Sequence, residues 1–221
     1  MKKMLSASLM CADLTNLACA VKELEKAGIE YLHIDIMDGS FVPNITLGFD
    51  LVNAIKSLTD IPLDVHMMVK EPSRFIDRMN LGTEDILCVH YESEVHIHRT
   101  LEMIKNKSCK AGLALNPQTA VENIMHLTDY IDMLLVMTVS PGFAGQKMFA
   151  GAEAKVTHAR KLLEEWGCGG TLIEVDGNIS LENGRKLSVC GADIFVLGTS
   201  ALFLKDKPLA EAAENFRAYL R

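Results

Sequence analysis

Two histidines and two aspartates, His33, Asp35, His66 and Asp176, each stand at or beside the end of a short run of β-branched and apolar residues. The runs are Tyr31-Leu-His33-Ile-Asp35, Leu63-Asp-Val-His66 and Leu172-Ile-Glu-Val-Asp176. Side chains alternate along a strand with period two, so His33 and Asp35 share one face. Two imidazoles and two carboxylates converging at strand ends would make a four-ligand site for a divalent metal. Two of the four, Asp35 and Asp176, are also bases, which suggests metal-assisted proton transfer in place of a merely structural site. Any single one of these residues reads better as a satisfied polar group at the top of a buried strand. Four at equivalent ends of different strands are harder to explain that way, because uncompensated polar groups are costly to bury.

His90, Glu92, His96 and His98 form a second cluster in sequence. His96 and His98 lie two apart on an expected helix and so face different ways, whereas ligands on one helix would be spaced by three or four. His90 is read as a strand-end residue lining the pocket, and His96 and His98 as solvated. Three glycine-bearing loops also follow late runs: Pro141-Gly-Phe-Ala-Gly145-Gln, Asp176-Gly-Asn178 and Gly198-Thr-Ser200. Glycine permits close backbone approach, and such loops with a helix N-terminus behind them can hold a phosphate. Alone, each reads as an ordinary turn. Met37, Met68 and Met137 sit at or just past strand ends, either as ordinary core packing or as a desolvating cover over reacting carbons.

The elements that would position these residues alternate. Strands are expected over 4–9, 31–36, 62–67, 86–90, 110–115, 133–139, 171–175 and 193–197. Helices are expected over 14–27, 49–58, from 72, over 95–105, after 117, over 153–166 and 180–189, and at the C-terminal end. Eight strand–helix units predict parallel strands with crossover helices, and in about 220 residues they fit a closed (β/α)8 TIM barrel. An open doubly wound sheet is the alternative. In a barrel the active site lies at the C-terminal ends of the strands, where all four metal candidates fall.

At 221 residues, without low-complexity segments or a linker-like shift, the chain is expected to be a single domain over 1–221. A net charge of −7, with no basic stripe, argues against nucleic acid as the partner. No stretch approaches the ~18 apolar residues of a membrane span. The apolar stretch after Met1-Lys-Lys only faintly imitates a signal peptide and is cut by Asp13. Six scattered cysteines without a CxxC pair fit reduced thiols, and a cytoplasmic location is expected.

Several motifs together resemble the ribulose-phosphate 3-epimerase family. They are Ser8-Leu-Met-Cys-Ala-Asp13, His33-Ile-Asp-Ile-Met-Asp-Gly-Ser-Phe-Val-Pro-Asn44, Asp64-Val-His-Met-Met68, Met137-Thr-Val-Ser-Pro-Gly-Phe-Ala-Gly-Gln146 and Glu174-Val-Asp-Gly177. The resemblance covers almost the whole chain and implies a phosphate-binding (β/α)8 barrel of the ribulose-phosphate-binding type. It implies one divalent metal on His33, Asp35, His66 and Asp176, with Zn²⁺ suited to the ligands and Mn²⁺, Fe²⁺, Co²⁺ or Mg²⁺ as alternatives. It further implies that Ser8 and His66 contact substrate, that Met37, Met68 and Met137 cover the reacting carbons, and that phosphate is held by Gly142, Phe143, Ala144, Gly145, Gly177, Asn178, Gly198 and Thr199. A homo-oligomer and a small ketose phosphate as partner follow from the same resemblance.

The resemblance implies epimerisation at C3, with Asp35 and Asp176 as acid and base on opposite faces and no organic cofactor. Ala144, Asn178 and Thr199 depart from the usual Gly-Phe-Gly-Gly, Asp-Gly-Gly and Gly-Ser patterns and are nearer the D-allulose-6-phosphate 3-epimerase branch. The expected reaction is therefore D-allulose 6-phosphate to D-fructose 6-phosphate, with D-ribulose 5-phosphate to D-xylulose 5-phosphate as the alternative. A non-catalytic sugar-phosphate-binding barrel is a further alternative. A metal-free decarboxylase or aldolase would need a lysine at a strand end, for which Lys70 and Lys110 are poorly placed.

Overall fold

The structure, a computed structural model, describes residues 2–220. Eight parallel strands close on themselves in sequence order: β1 (Met4–Ser8), β2 (Tyr31–Met37), β3 (Leu63–Met68), β4 (Ile86–His90), β5 (Lys110–Leu115), β6 (Met133–Met137), β7 (Leu172–Asp176) and β8 (Ile194–Leu197). β1 pairs with β8 and completes the barrel, so the open-sheet alternative does not apply. The helices are α1 (Leu17–Lys26), α2 (Phe49–Lys56), α3 (Ile97–Asn106), α4 (Ala152–Glu165), α5 (Leu181–Val189) and α6 (Leu209–Leu220). Because helices cover the outside and side chains fill the lumen, strands are buried on both faces and read as near-continuous apolar runs. Leu32, Ile34 and Ile36 face outward into the main core with Val21, Leu24, Val52 and Ile55.

The lumen is divided chemically. An apolar part is formed by Tyr31, Ile86, Cys88, Ala114, Met133, Leu135, Met137 and Ile194. A buried polar part comes from Ser6, Ser8, His33, Asp35, Asp64, His66 and Glu174, on β1, β2, β3 and β7. Since burying so many polar groups is costly, this sector is where function is to be sought.

Two crossovers differ from expectation. Where helices were expected from 72 and after 117, the chain makes short 3-10 turns: Pro72–Arg74 and Ile76–Arg78, then Val121–Ile124 and Thr128–Tyr130. In the second of these, the buried residues Val121, Ile124 and Leu127 recur every three positions, the period of the tighter helix. The helix expected over 95–105 begins at Ile97, leaving Val95 exposed and His96 at the N-cap. No helix starts directly behind Gly198: residues there form turns, and α6 begins only at Leu209.

Candidate active site

Strand register brings the four expected ligands together. Asp35 on β2 is level with His66 on β3, Ser8 with His33, and Met137 with Asp176. His33 Nε2 lies 3.3 Å from Asp35 Oδ1 and 4.0 Å from Asp176 Oδ2, and His66 Nδ1 lies 3.4 and 3.8 Å from the same two atoms. The four ligand atoms all fall within 4.8 Å of one another. His33 Nε2 and His66 Nδ1 are buried yet have no hydrogen-bond partner, which is rare for a native interior. Donors spaced this way suit a cation bound at about 2.0–2.2 Å from each. The residues present therefore fit a divalent metal ion.

The electrostatics point the same way. Burial disfavours a charged His33, but Asp64 and Asp35 raise its pKa well above the ordinary imidazole value, so the cage favours positive charge. The two aspartates are not equivalent. Burial would raise Asp35, but His33, and then His66, hold its carboxyl far below the usual range. Burial pushes the Asp176 carboxyl up to about 6, a rise that His33 opposes and Asp35 reinforces. Paired carboxylates whose environments drive them apart are the usual arrangement of an acid and a base.

Behind each histidine stands a partner that reasoning from the sequence missed. His33 Nδ1 is 2.6 Å from Asp64 Oδ2, which also accepts the Ser6 hydroxyl at 2.8 Å. This carboxylate–histidine pairing orients a ligating imidazole and makes it a better donor. Glu174 is fully buried beside Asp64; burial, and then the charge of Asp64, push its pKa well above the ordinary carboxyl value. A signal was available. Ser6, Asp64 and Glu174 each lie two residues before Ser8, His66 and Asp176 and so share their strand faces. His90 does not line the cleft as expected but is fully buried behind His66, with the two Nε2 atoms 2.8 Å apart. Burial lowers the His90 pKa to about 4, against the opposing effect of Glu92. His96 is not among these groups, and His98 is exposed beside Glu102.

Above the cage opens a cleft lined by Ser8, Met37, Met68, Met137, Asp35 and Asp176, and by Gly142, Phe143, Ala144, Gly145, Gly177, Asn178, Gly198 and Thr199. His66, also expected against substrate, lies fully buried beneath and does not line it. Gln146 and Ser200, the last residues of two of the expected loops, line the cleft as well, and so do Met10, Cys11 and Ser140, which were not anticipated. The methionines serve as both packing and lining: Met37 and Met68 form an apolar cluster with Val42, and Met137 belongs to the lumen. Ser8 Oγ donates to Asp35 Oδ2 at 3.0 Å. No lysine lines the cleft; Lys110, at the opposite end of its strand, pairs with Glu84.

The loops are held in place by long-range ties. Asn44 Nδ2 donates to the Gly142 carbonyl at 2.8 Å, and the Thr46 hydroxyl donates to the Asp35 carbonyl at 2.6 Å. The first of these bonds gives Asn44, the last residue of the 33–44 motif, a structural use. Gly177 has φ +115°, and a Cβ there would come within 2.5 Å of Val139 Cγ2 and 2.9 Å of Thr138 Oγ1. Only glycine fits this turn directly after Asp176. Asn178 follows with φ +53°, a conformation asparagine tolerates, and its side-chain oxygen accepts from Asn183 Nδ2 at 3.1 Å.

The model of the ribulose-phosphate 3-epimerase family matches residues 4–203. Among similar proteins, a ribulose-phosphate 3-epimerase of Bacillus subtilis is 42% identical over 203 residues, which is 92% of this chain and 94% of that one. A chloroplastic ribulose-5-phosphate 3-epimerase of Arabidopsis thaliana is 39% identical, covering 98% of this chain and 76% of that one. Among solved structures, KGPDC from Streptococcus mutans superposes with a TM-score of 0.68 at 15% identity, covering 100% of this chain and 98% of that one. A tryptophan synthase α-subunit from Pyrococcus furiosus gives 0.67 at 11%, covering 99% and 96%. At that identity the two structures establish a shared barrel and no more.

Proposed function

Because the chain belongs to the ribulose-phosphate 3-epimerase family, we propose that it interconverts D-ribulose 5-phosphate and D-xylulose 5-phosphate. The observation that carries this reading is the cage of His33, Asp35, His66 and Asp176 at the floor of a cleft rimmed by the glycine-bearing loops. His33, Asp35, His66 and Asp176 would hold the metal ion, of which Zn²⁺ suits the donors best. When bound, a divalent cation supplies Lewis-acid polarisation of the carbonyl next to the reacting carbon and compensates developing negative charge.

The protein side chains do the rest. Asp35 and Asp176 approach the substrate from two different strands, so one can take the C3 proton from one face while the other returns a proton to the opposite face. The Ser8 hydroxyl, bonded to Asp35, fixes that carboxylate's orientation. Met37, Met68 and Met137 keep water from the reacting carbons, which strengthens every electrostatic contact below them. Phosphate is held by the backbone of the 142–145, 177–178 and 198–199 loops. Backbone N–H groups can do this with little cationic side-chain charge, in keeping with an acidic chain. The reading carries with it a cytoplasmic enzyme working as a homo-oligomer.

The names of the relatives move the preferred substrate from the hexulose phosphate expected from sequence to the pentulose phosphate. Part of the reason for the expectation lies in Asn178, whose added bulk is tied to Asn183 and so is accounted for without a longer sugar. One observation still favours D-allulose 6-phosphate as a second reading: Ala144, Asn178 and Thr199 all line the cleft. Steady-state kinetics on both sugars separates the two. We expect kcat/KM for ribulose 5-phosphate to exceed that for allulose 6-phosphate by roughly 10–200-fold, the discrimination that one carbon's worth of mismatch can give. The reverse preference would establish the hexulose reading, and no turnover of either would overturn both.

A further inference from the structure

His66 and His90 face one another Nε2 to Nε2 at 2.8 Å, both fully buried, with ring planes inclined by 26° and centroids 4.9 Å apart. Only one proton fits between two nitrogens at that distance. For His66 Nδ1 to offer a lone pair to a cation, the His66 proton must sit on Nε2 and be donated to His90. The His90 proton then sits on Nδ1, whose neighbour is Glu92 Oε2 at 3.3 Å. A carboxylate accepts only, so this end of the chain of bonds is consistent. Glu92 is itself fixed, because Oε1 accepts the Asn116 backbone N–H at 2.9 Å and the Thr119 hydroxyl. A backbone N–H cannot reverse its polarity. The direction of every bond is thus set by the acceptor-only Glu92 carboxylate, which Asn116 and Thr119 hold in place, and expressed at His66 Nδ1, the buried atom that has no hydrogen-bond partner.

We propose that His90 and Glu92 are positioning residues that lock His66 in the tautomer presenting Nδ1 to the metal ion. The inference rests on the metal-site reading above and assigns a use to a His-x-Glu pair outside the ligand set. The two metal-facing histidines would then be held by different chemistry, His33 by the Asp64 carboxylate and His66 by a neutral imidazole.

Glu92→Gln tests the polarity without changing shape. Its amide oxygen must take the Asn116 N–H, so its NH2 faces His90 Nδ1. The His90 proton is then driven to Nε2, and the His66 proton to Nδ1, the ligand atom. Zn²⁺ affinity, measured by competition with a chromophoric chelator, is expected to fall ~10–100-fold, the usual cost of losing an outer-shell partner. The visible bands of the Co²⁺-loaded protein should change with it, while the far-UV circular dichroism stays that of the wild type. His90→Gln can accept from His66 and donate to Glu92, so it should bind within a few-fold of wild type, whereas His90→Leu should weaken binding as Glu92→Gln does. Wild-type affinity and spectra in Glu92→Gln would overturn the proposal. Should that variant fail to fold, His90→Gln against His90→Leu decides, and equal affinities overturn it. A wild-type protein that binds neither Zn²⁺ nor Co²⁺ would overturn the functional reading as well, whereas a metal-binding wild type with an unaffected Glu92→Gln overturns this inference alone.

Discussion

Asp35→Asn and Asp176→Asn should each lower kcat for epimerisation by ~10²–10⁴-fold, the range typical for loss of a general acid or base. An asparagine keeps the volume and one acceptor oxygen but cannot hold the proton. Each change also removes a negative ligand atom from a cage whose members lie within 4.8 Å of one another, so weakened metal binding adds to the loss. Because the two aspartates act in one reaction, the double variant should fall little further than either single one. Kinetics at saturating metal, with circular dichroism as a control for folding, checks this. Retention of a tenth or more of wild-type kcat in either variant would remove that residue from the chemistry.

Stripping the metal should have an effect as large. Dialysis against a strong chelator is expected to abolish turnover, and re-addition of Zn²⁺, or of another divalent ion of the same ligand preference, to restore it. The melting temperature should fall in parallel, since a ligand bound only by the folded state stabilises that state. Loss here means leaving His33 Nε2 and His66 Nδ1 buried without partners beside two carboxylates. Full activity in demonstrably metal-free protein would contradict the reading of the cage.

Much of this was legible in the sequence because a barrel's chemistry is written at strand ends. The alternation of apolar runs and amphipathic stretches specifies eight strands, and β4 and β5 begin and end where the pattern places them. The four metal candidates follow from the same pattern. What was not legible depends on contacts distant in sequence. The Asn44–Gly142 bond joins residues 98 apart, and nothing local announces it. The crossovers after β3 and β5, read as helices from Pro72 and after Pro117, are 3-10 turns, and the proline that opens the first suits the start of either form of helix. His90 looked like a pocket residue because a strand-end histidine can face the mouth. Instead its side chain turns inward to meet His66, whose register partner on β4 is Cys88, and Phe41 packs on it with ring centroids 4.7 Å apart. Asp64 and Glu174 lie within reach of the same period-two alternation, two residues before His66 and Asp176 on the same strand faces.

The central claim, proton exchange at C3 by two aspartates on opposite faces, is tested most directly by running the reaction in deuterated water and reading the product by proton NMR. With D-ribulose 5-phosphate as substrate, the account predicts D-xylulose 5-phosphate carrying solvent deuterium at C3. A product that retains the substrate's own hydrogen at C3 in every turnover would contradict it.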